Sequence, residues 1–255
     1  MIAIISPAKN IDFSFSELGV KLTTPAYVDK ANFLSQYLKS FSPIQLQQFY
    51  KVNQSIADLN FTRFQSWRNS PNQEDLGAAG FIFNGEVYRG FDVRSFLPDH
   101  LSFANLSILI LSGLYGVLNI QDGIQPYRLE MGSKLSVADY SNLYKYWSDD
   151  VTDFLNERIE SSLGDKCLVN LASVEYAKVV NLNKLKYPLL NIDFKQEEAG
   201  SLRSVSVYAK RARGLMARFI ALNHICNVED LKAFDFEGYS YSSHHSQLGK
   251  WIFVR

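Results

Sequence analysis

Three short apolar runs in this chain end in the same way. Ile2-Ala-Ile-Ile5, Leu106-Ser-Ile-Leu-Ile-Leu111 and Cys167-Leu-Val-Asn-Leu171 are close to continuous rather than alternating. A strand with one wet face alternates apolar and polar residues. A run without alternation needs cover on both faces, the condition of a strand buried in a parallel sheet between helices. Each run then stops in small or polar residues: Ser6 and Lys9, Ser112 and Tyr115, Ser173, Glu175 and Tyr176. In open α/β sheets, ligand sites gather outside the carboxyl ends of the strands. If these strands are parallel neighbours, three separate segments line one cleft.

The spacing elsewhere fits such a sheet. Tyr27 to Ser40 places Ala31, Leu34, Tyr37 and Leu38 on one helical face, and Ser42-Pro43 is a cap and first-turn pair for the next helix. A third helix is expected over Val52 to Asn60, running on towards Trp67, while Asp12–Pro25 and Asn69–Asp75 read as loops. Asn84-Gly85 is either a hairpin turn or the start of a helix with Glu86 in its first turn. Pro98 and His100 lead into the strand 106–111, and Ala138 to Ile159 is helical. Leu189–Phe194 and Ser204–Tyr208 read as strands around a polar turn, Ala209–His224 as a helix, Asn227 as a further helix start and Trp251–Val254 as a last strand. The alternation predicts one mixed α/β domain over residues 1–255 with a central sheet.

Composition narrows the partners. The chain has 255 residues, 47% of them apolar, which suffices for a full core. Its formal net charge is zero, so a nucleic acid would have to be met by a local patch. The longest apolar run is far below the roughly 18 residues of a membrane span, so no membrane partner is expected. Met1-Ile-Ala-Ile-Ile-Ser-Pro has no basic leader and reads as a first strand, and Cys167 and Cys226 read as buried thiols of a cytosolic protein.

The richest chemistry lies between Ser112 and Gly132. Arg128 has a fork that matches two oxygens of a carboxylate or phosphate. Asp122, Arg128 and Glu130 form either a ligand-gripping set or an internal salt bridge that stiffens the loop. Lys9 is either a solvated cation, an anion binder or, if buried, a base or nucleophile. Glu175 is either a general base or a partner for Lys9 or Arg128. Wound as a helix, Lys210, Arg211, Arg213 and Arg218 share one arc, with Ala212, Leu215, Met216, Phe219 and Leu222 opposite. That arc suits phosphates or is simply a solvated face. Neither a P-loop nor a dinucleotide fingerprint is present, so no cofactor is expected. His100, His224, His244 and His245 give no metal-ligand spacing, and no metal is expected.

Taken in order, Ser6-Pro-Ala-Lys9, Asn84-Gly-Glu-Val-Tyr88, Leu111-Ser-Gly-Leu-Tyr-Gly-Val-Leu118, Gln125-Pro-Tyr-Arg-Leu-Glu-Met-Gly132, Val169-Asn-Leu-Ala-Ser173 with Glu175-Tyr176, Tyr208-Ala-Lys-Arg-Ala-Arg-Gly-Leu-Met216 and Glu237-Gly-Tyr239 resemble the YaaA peroxide-stress family over nearly the whole chain. The resemblance implies a cytosolic bacterial protein, induced by peroxide, that limits free iron and oxidative damage. It also implies a single α/β domain with a basic cleft, a helix-hairpin-helix element near the carboxyl terminus, and DNA binding without an established reaction. Mapped by motif, the cleft would comprise Lys9, Tyr115, Asp122, Tyr127, Arg128, Glu130, Glu175, Lys210, Arg211 and Arg213. Ser6 and Ser112 join it as strand-end hydroxyls, and Arg218 joins the DNA-binding arc. The chain departs from the family pattern at Asn10, usually threonine, and at Asn119-Ile-Gln121, where an arginine and a proline are usual. The missing arginine and proline lower the positive charge and the rigidity expected of the cleft. Two readings follow: a DNA-backbone binder, or an enzyme on a small anionic or nucleotide-like substrate with Lys9, Tyr115 and Glu175 as catalytic candidates. A third, an iron-sequestering protein, lacks a ligand cluster in the sequence.

Overall fold

The computed structural model describes residues 1–15, 19–198 and 200–255. The chain opens with β1 (Ile2–Ile5), every residue of it buried, and a two-residue β2 (Asn10–Ile11). Of the loop expected from Asp12, residues 16–18 lie outside the described residues. Three helices follow: α1 (Val28–Lys39), α2 (Pro43–Tyr50) and α3 (Gln54–Gln65). α2 starts where Ser42-Pro43 predicts. The Ser42 hydroxyl accepts from the Gln45 N–H at 3.3 Å, and the Gln45 side chain accepts from the Ser42 N–H at 2.8 Å. This reciprocal cap satisfies two of the donors that a helix start leaves open.

Next come β3 (Gly77–Ala78), α4 (Ala79–Ile82), β4 (Phe83–Asn84) and α5 (Glu86–Phe91). Asn84-Gly85 is therefore a helix start and not a hairpin turn. α6 (Pro98–Ser107) precedes β5 (Ile108–Ser112), so the strand expected from Leu106 begins two residues later. Pro98 sits in the first helical turn, where its missing N–H does no harm. β6 (Gly116–Asn119), β7 (Gly123–Ile124), α7 (Leu143–Ser161), β8 (Leu168–Asn170) and α8 (Val174–Ala177) continue the chain. β9 (Leu189–Glu198), β10 (Ser201–Arg203), α9 (Ser206–Leu222), β11 (Ser240–Tyr241) and β12 (Lys250–Val254) complete it. The strand expected at Ser204–Tyr208 is replaced by the first turn of α9. Its alternation is exposed on both sides, Val205 and Val207 included, so no buried face rewards an extended conformation.

The main sheet has eight strands in the order β11-β12-β9-β8-β1-β5-β6, with β10 paired to β9. The five from β12 to β5 are parallel, and β11, β10 and β6 join them antiparallel. β8, β1 and β5 are adjacent, so the three apolar runs are the parallel neighbours their sequence requires. Among the described residues, no helix is long and apolar enough to cross a membrane. The helix-hairpin-helix expected after α9 has a different second limb: Val228–Ala233 is a six-residue 3-10 stretch rather than an α-helix.

One helix pair sets the geometry of the cleft. α5 and α9 meet backbone to backbone. A Cβ on Gly214 would lie 1.8 Å from the Val87 carbonyl oxygen, and one on Gly90 would lie 2.2 Å from that of Arg211. Only glycine permits this approach. It fixes the residues before α5 against the basic face of α9.

Candidate functional site

Past β1, the segment Ser6–Asn10 turns out over the carboxyl edge of the sheet. The Ser6 hydroxyl accepts from the Ser173 N–H at 2.9 Å and lies 3.3 Å from the Ser173 hydroxyl. The Tyr88 phenol donates to the Ser6 carbonyl at 3.2 Å. These bonds tie the end of β1 to α8 and α5, so Ser6 is a wall of the cleft rather than a free hydroxyl. Between them lies a cavity of about 320 Å³ that Lys9, Asn84, Glu86, Glu175, Tyr176, Lys210 and Arg213 help to line.

A chain of charges leads inward from Lys9 at its edge. Arg128 donates to Glu130 at 2.8 Å, and Glu130 lies 3.3 Å from the Lys9 ammonium. The Arg128 side chain is only 12% exposed, whereas that of Lys9 is 64% exposed. Tyr50 holds Arg128 from two directions: its phenol donates to the Arg128 carbonyl, and its ring lies 5.6 Å from the guanidinium. The Arg128 Nε is buried without a hydrogen-bond partner among the described residues. Glu175 accepts from the Gly132 N–H at 3.0 Å and so anchors the end of the 112–132 loop. Arg128 and Glu130 form an ion pair, and Lys9 extends it to the cleft.

α9 supplies the opposite wall. Lys210 is exposed and has no acidic partner among the described residues. Arg213 is 18% exposed, 3.9 Å from Asp193, and its Nε is buried without a partner. Burial lowers the guanidinium pKa, and Asp193 only partly offsets this. Arg211 donates to Glu237 at 2.6 Å. Arg218 donates to the Asp92 carbonyl at 3.1 Å and to Ser95 at 2.7 Å, so it clamps the end of α5 rather than facing a phosphate. The arc of four cations is therefore answered by acids from distant parts of the chain, and Lys210 alone is open.

Four expected cleft residues lie beneath it. Ser112 is fully buried and shares a 2.6 Å bond with the Tyr127 hydroxyl; it also accepts from the N–H groups of Leu114 and Tyr115. Tyr115 is 2% exposed, and its phenol accepts from the Gln125 N–H at 3.2 Å. Buried like this, its proton is held far above the ordinary phenol range, and the phenol lies beneath the cleft rather than in it. Tyr127 packs edge-on against it at 5.4 Å. Asp122 is fully buried and accepts from the Thr23 hydroxyl at 2.7 Å and the Asn119 N–H at 2.8 Å. Asn119 in turn accepts from Arg158 at 2.7 Å. The departure at Asn119–Gln121 thus belongs to the end of β6 and the partly buried turn after it. Asn10 does line the cleft, paired with Asn84 across β2 and β4.

Two further cavities adjoin the first. One of about 340 Å³ shares Asn84 and Tyr88 with it and adds Arg89, Arg94 and Arg211. The other, of about 400 Å³, shares Lys9 and Glu175 and adds Lys51 and Lys134. Together they bring eight lysines and arginines against four carboxylates onto a chain of zero net charge. Lys51, Lys134, Arg89 and Arg94 had no chemical signal in the sequence. Asn84 and Glu86 had one, their place in the Asn84-Gly-Glu-Val-Tyr88 motif. The histidines also differ from expectation: Asp99, His100 and His224 come together, with ligand atoms all within 4.8 Å of one another.

Residues 1–245 match the model of the family described as peroxide stress protein YaaA. The chain belongs to the YaaA peroxide stress protein family. A UPF0246 protein of Idiomarina loihiensis is 41% identical to it, over 100% of this chain and 98% of the relative. One from Shewanella amazonensis is 42% identical over 100% and 99%, and one from Neisseria meningitidis is 39% identical over 100% and 98%. The YaaA motifs gather where the structure has its clefts: Ser6–Lys9, Asn84–Tyr88, Arg128–Gly132, Ser173–Tyr176 and Lys210–Arg213 line the three adjoining cavities or pair beneath them.

Proposed function

We propose that this chain is a peroxide-stress protein that binds DNA through its phosphate backbone along the three adjoining cavities. The observation that carries this reading is the local excess of cations in a continuous concavity on a neutral chain. An excess confined to one groove attracts a polyanion without making the whole surface sticky. Exposed Lys134 lies in one outer cavity and exposed Lys210 in the middle one, with Lys9 shared between those two. Such contacts position a backbone and carry little sequence preference. The limitation of free iron and of oxidative damage is what the family resemblance implies for such a protein. Charge reversal at Lys134 and Lys210 tests this without touching the fold, because both side chains are exposed. The double variant should lose DNA affinity and peroxide survival together. Wild-type DNA affinity in the folded double variant would refute the reading.

A second reading has its own observation. Among the described residues, Arg213, which lines the middle cavity, and Arg128, which is joined to its Lys9 through Glu130, both keep a buried Nε without a hydrogen-bond partner, and the cavity's volume suits a small anionic or nucleotide-like ligand. Lys9, Arg128, Glu130 and Glu175 would then form an enzyme's substrate site. Glu175→Gln separates the two: a loss of peroxide survival with DNA affinity intact favours small-molecule chemistry.

A further inference from the structure

Away from the cleft, the start of α6 meets the end of α9. Asp99 and His100 lie in the first turn of α6, and His224 follows α9 by two residues. They are more than a hundred residues apart in sequence, which is why spacing alone conceals them. The His100 and His224 rings are 5.7 Å apart, and Phe103 backs the His224 ring at 4.8 Å. His224 holds a left-handed backbone, φ 48°, a conformation that a non-glycine residue adopts at a cost. Among the described residues, the buried Nδ1 of His100 has no hydrogen-bond partner. Asp99 Oδ2 lies 3.9 Å from His100 Nε2, beyond hydrogen-bond reach.

We propose that Asp99, His100 and His224 bind a divalent transition-metal ion. Ligand atoms around a tetrahedral centre with bonds of ~2.1 Å are roughly 3.4 Å apart. The present separations, 3.9 Å for one pair and at most 4.8 Å for the set, close to that value by rotation of the exposed Asp99 and His224 side chains. Two imidazoles and a carboxylate select a borderline ion such as Zn²⁺ or Co²⁺ over Mg²⁺ or Ca²⁺, which take mostly oxygen. Three protein ligands leave the fourth position to water. The carbonyl end of α9 favours a cation, and Asp99 offsets the opposing amino end of α6. A bound ion clamps the two helices together at the end of α9 remote from Lys210.

Titration of the metal-free full-length protein with Co²⁺ tests the site, because four-coordinate cobalt has visible bands that six-coordinate cobalt lacks. One equivalent should bind, be displaced by Zn²⁺ and raise the thermal midpoint. His224→Asn keeps a residue that tolerates the left-handed backbone, and Asp99→Asn keeps the side-chain shape. Each should weaken binding by at least ~10-fold, since even outer-shell changes at metal sites have effects of that order. His244→Ala with His245→Ala should leave it unchanged. Absence of the four-coordinate spectrum in the wild type, wild-type affinity in both single variants, or loss only in the His244/His245 variant would each overturn the site.

Discussion

Asp122 shows how a carboxylate in a polar loop becomes part of the interior. Burial pushes its pKa up, while the Thr23 hydroxyl and the Asn119 backbone and amide pull it back down. Asp122→Ala would leave those donors unpaired in a buried turn, so it should destabilise the protein by about 1–3 kcal/mol in urea unfolding. DNA affinity of the folded variant should not change; a selective loss of binding would return Asp122 to the cleft. The sequence showed that the 112–132 loop was rich in functional groups but not which way each pointed. Ser112, Tyr115, Asp122 and Tyr127 face the core, whereas Glu130 and Gly132 line a cavity. The partners of α9 were equally hidden, since Asp92, Asp193 and Glu237 reach Arg218, Arg213 and Arg211 from separate elements.

Among the elements, α5 and α9 control the cleft through Gly90 and Gly214. Gly214→Ala places a methyl group inside contact distance of the Val87 carbonyl, and neither backbone can retreat without moving a cleft wall. The expected cost is about 3 kcal/mol, the upper range for overpacking, with DNA affinity reduced in the fraction that folds. An unfolding midpoint equal to wild type would show that the helices can separate. Ser42→Ala is the milder case: loss of the reciprocal cap on α2 should cost ~1 kcal/mol, measured by the same urea curve. Elements with continuous apolar runs or clear caps were legible before the structure was known, including β1, β8 and α2. α6 was not, because Leu106 and Ser107 close the helix yet merge in sequence with the apolar run of β5. The beginning of α9 was misread because Val205 and Val207 alternate like a strand while both are exposed.

At the scale of the whole molecule, the interior is closed to ionised tyrosines. Burial pushes Tyr27 and Tyr146 up to about 12, raises Tyr50, Tyr115, Tyr127 and Tyr176 further, and holds Tyr88 well above the ordinary phenol value. These phenols stay protonated in the folded state after their unfolded counterparts begin to ionise near pH ~10. The unfolded state then binds fewer protons, so stability falls as pH rises from ~10 through the folded pKa values. Tyrosinate absorbance should appear together with loss of circular dichroism. Full ionisation with the fold intact would contradict this packing. Charge is arranged on the same scale: a neutral chain places its cation excess along one groove. DNA binding by that groove is decided most directly by the salt dependence of affinity for duplex DNA, measured for the wild type and for Lys134→Glu with Lys210→Glu. The logarithmic plot should be linear for the wild type and shallower by about 2 in the double variant, one lost phosphate contact per lysine. An identical slope and affinity in the two proteins would contradict it.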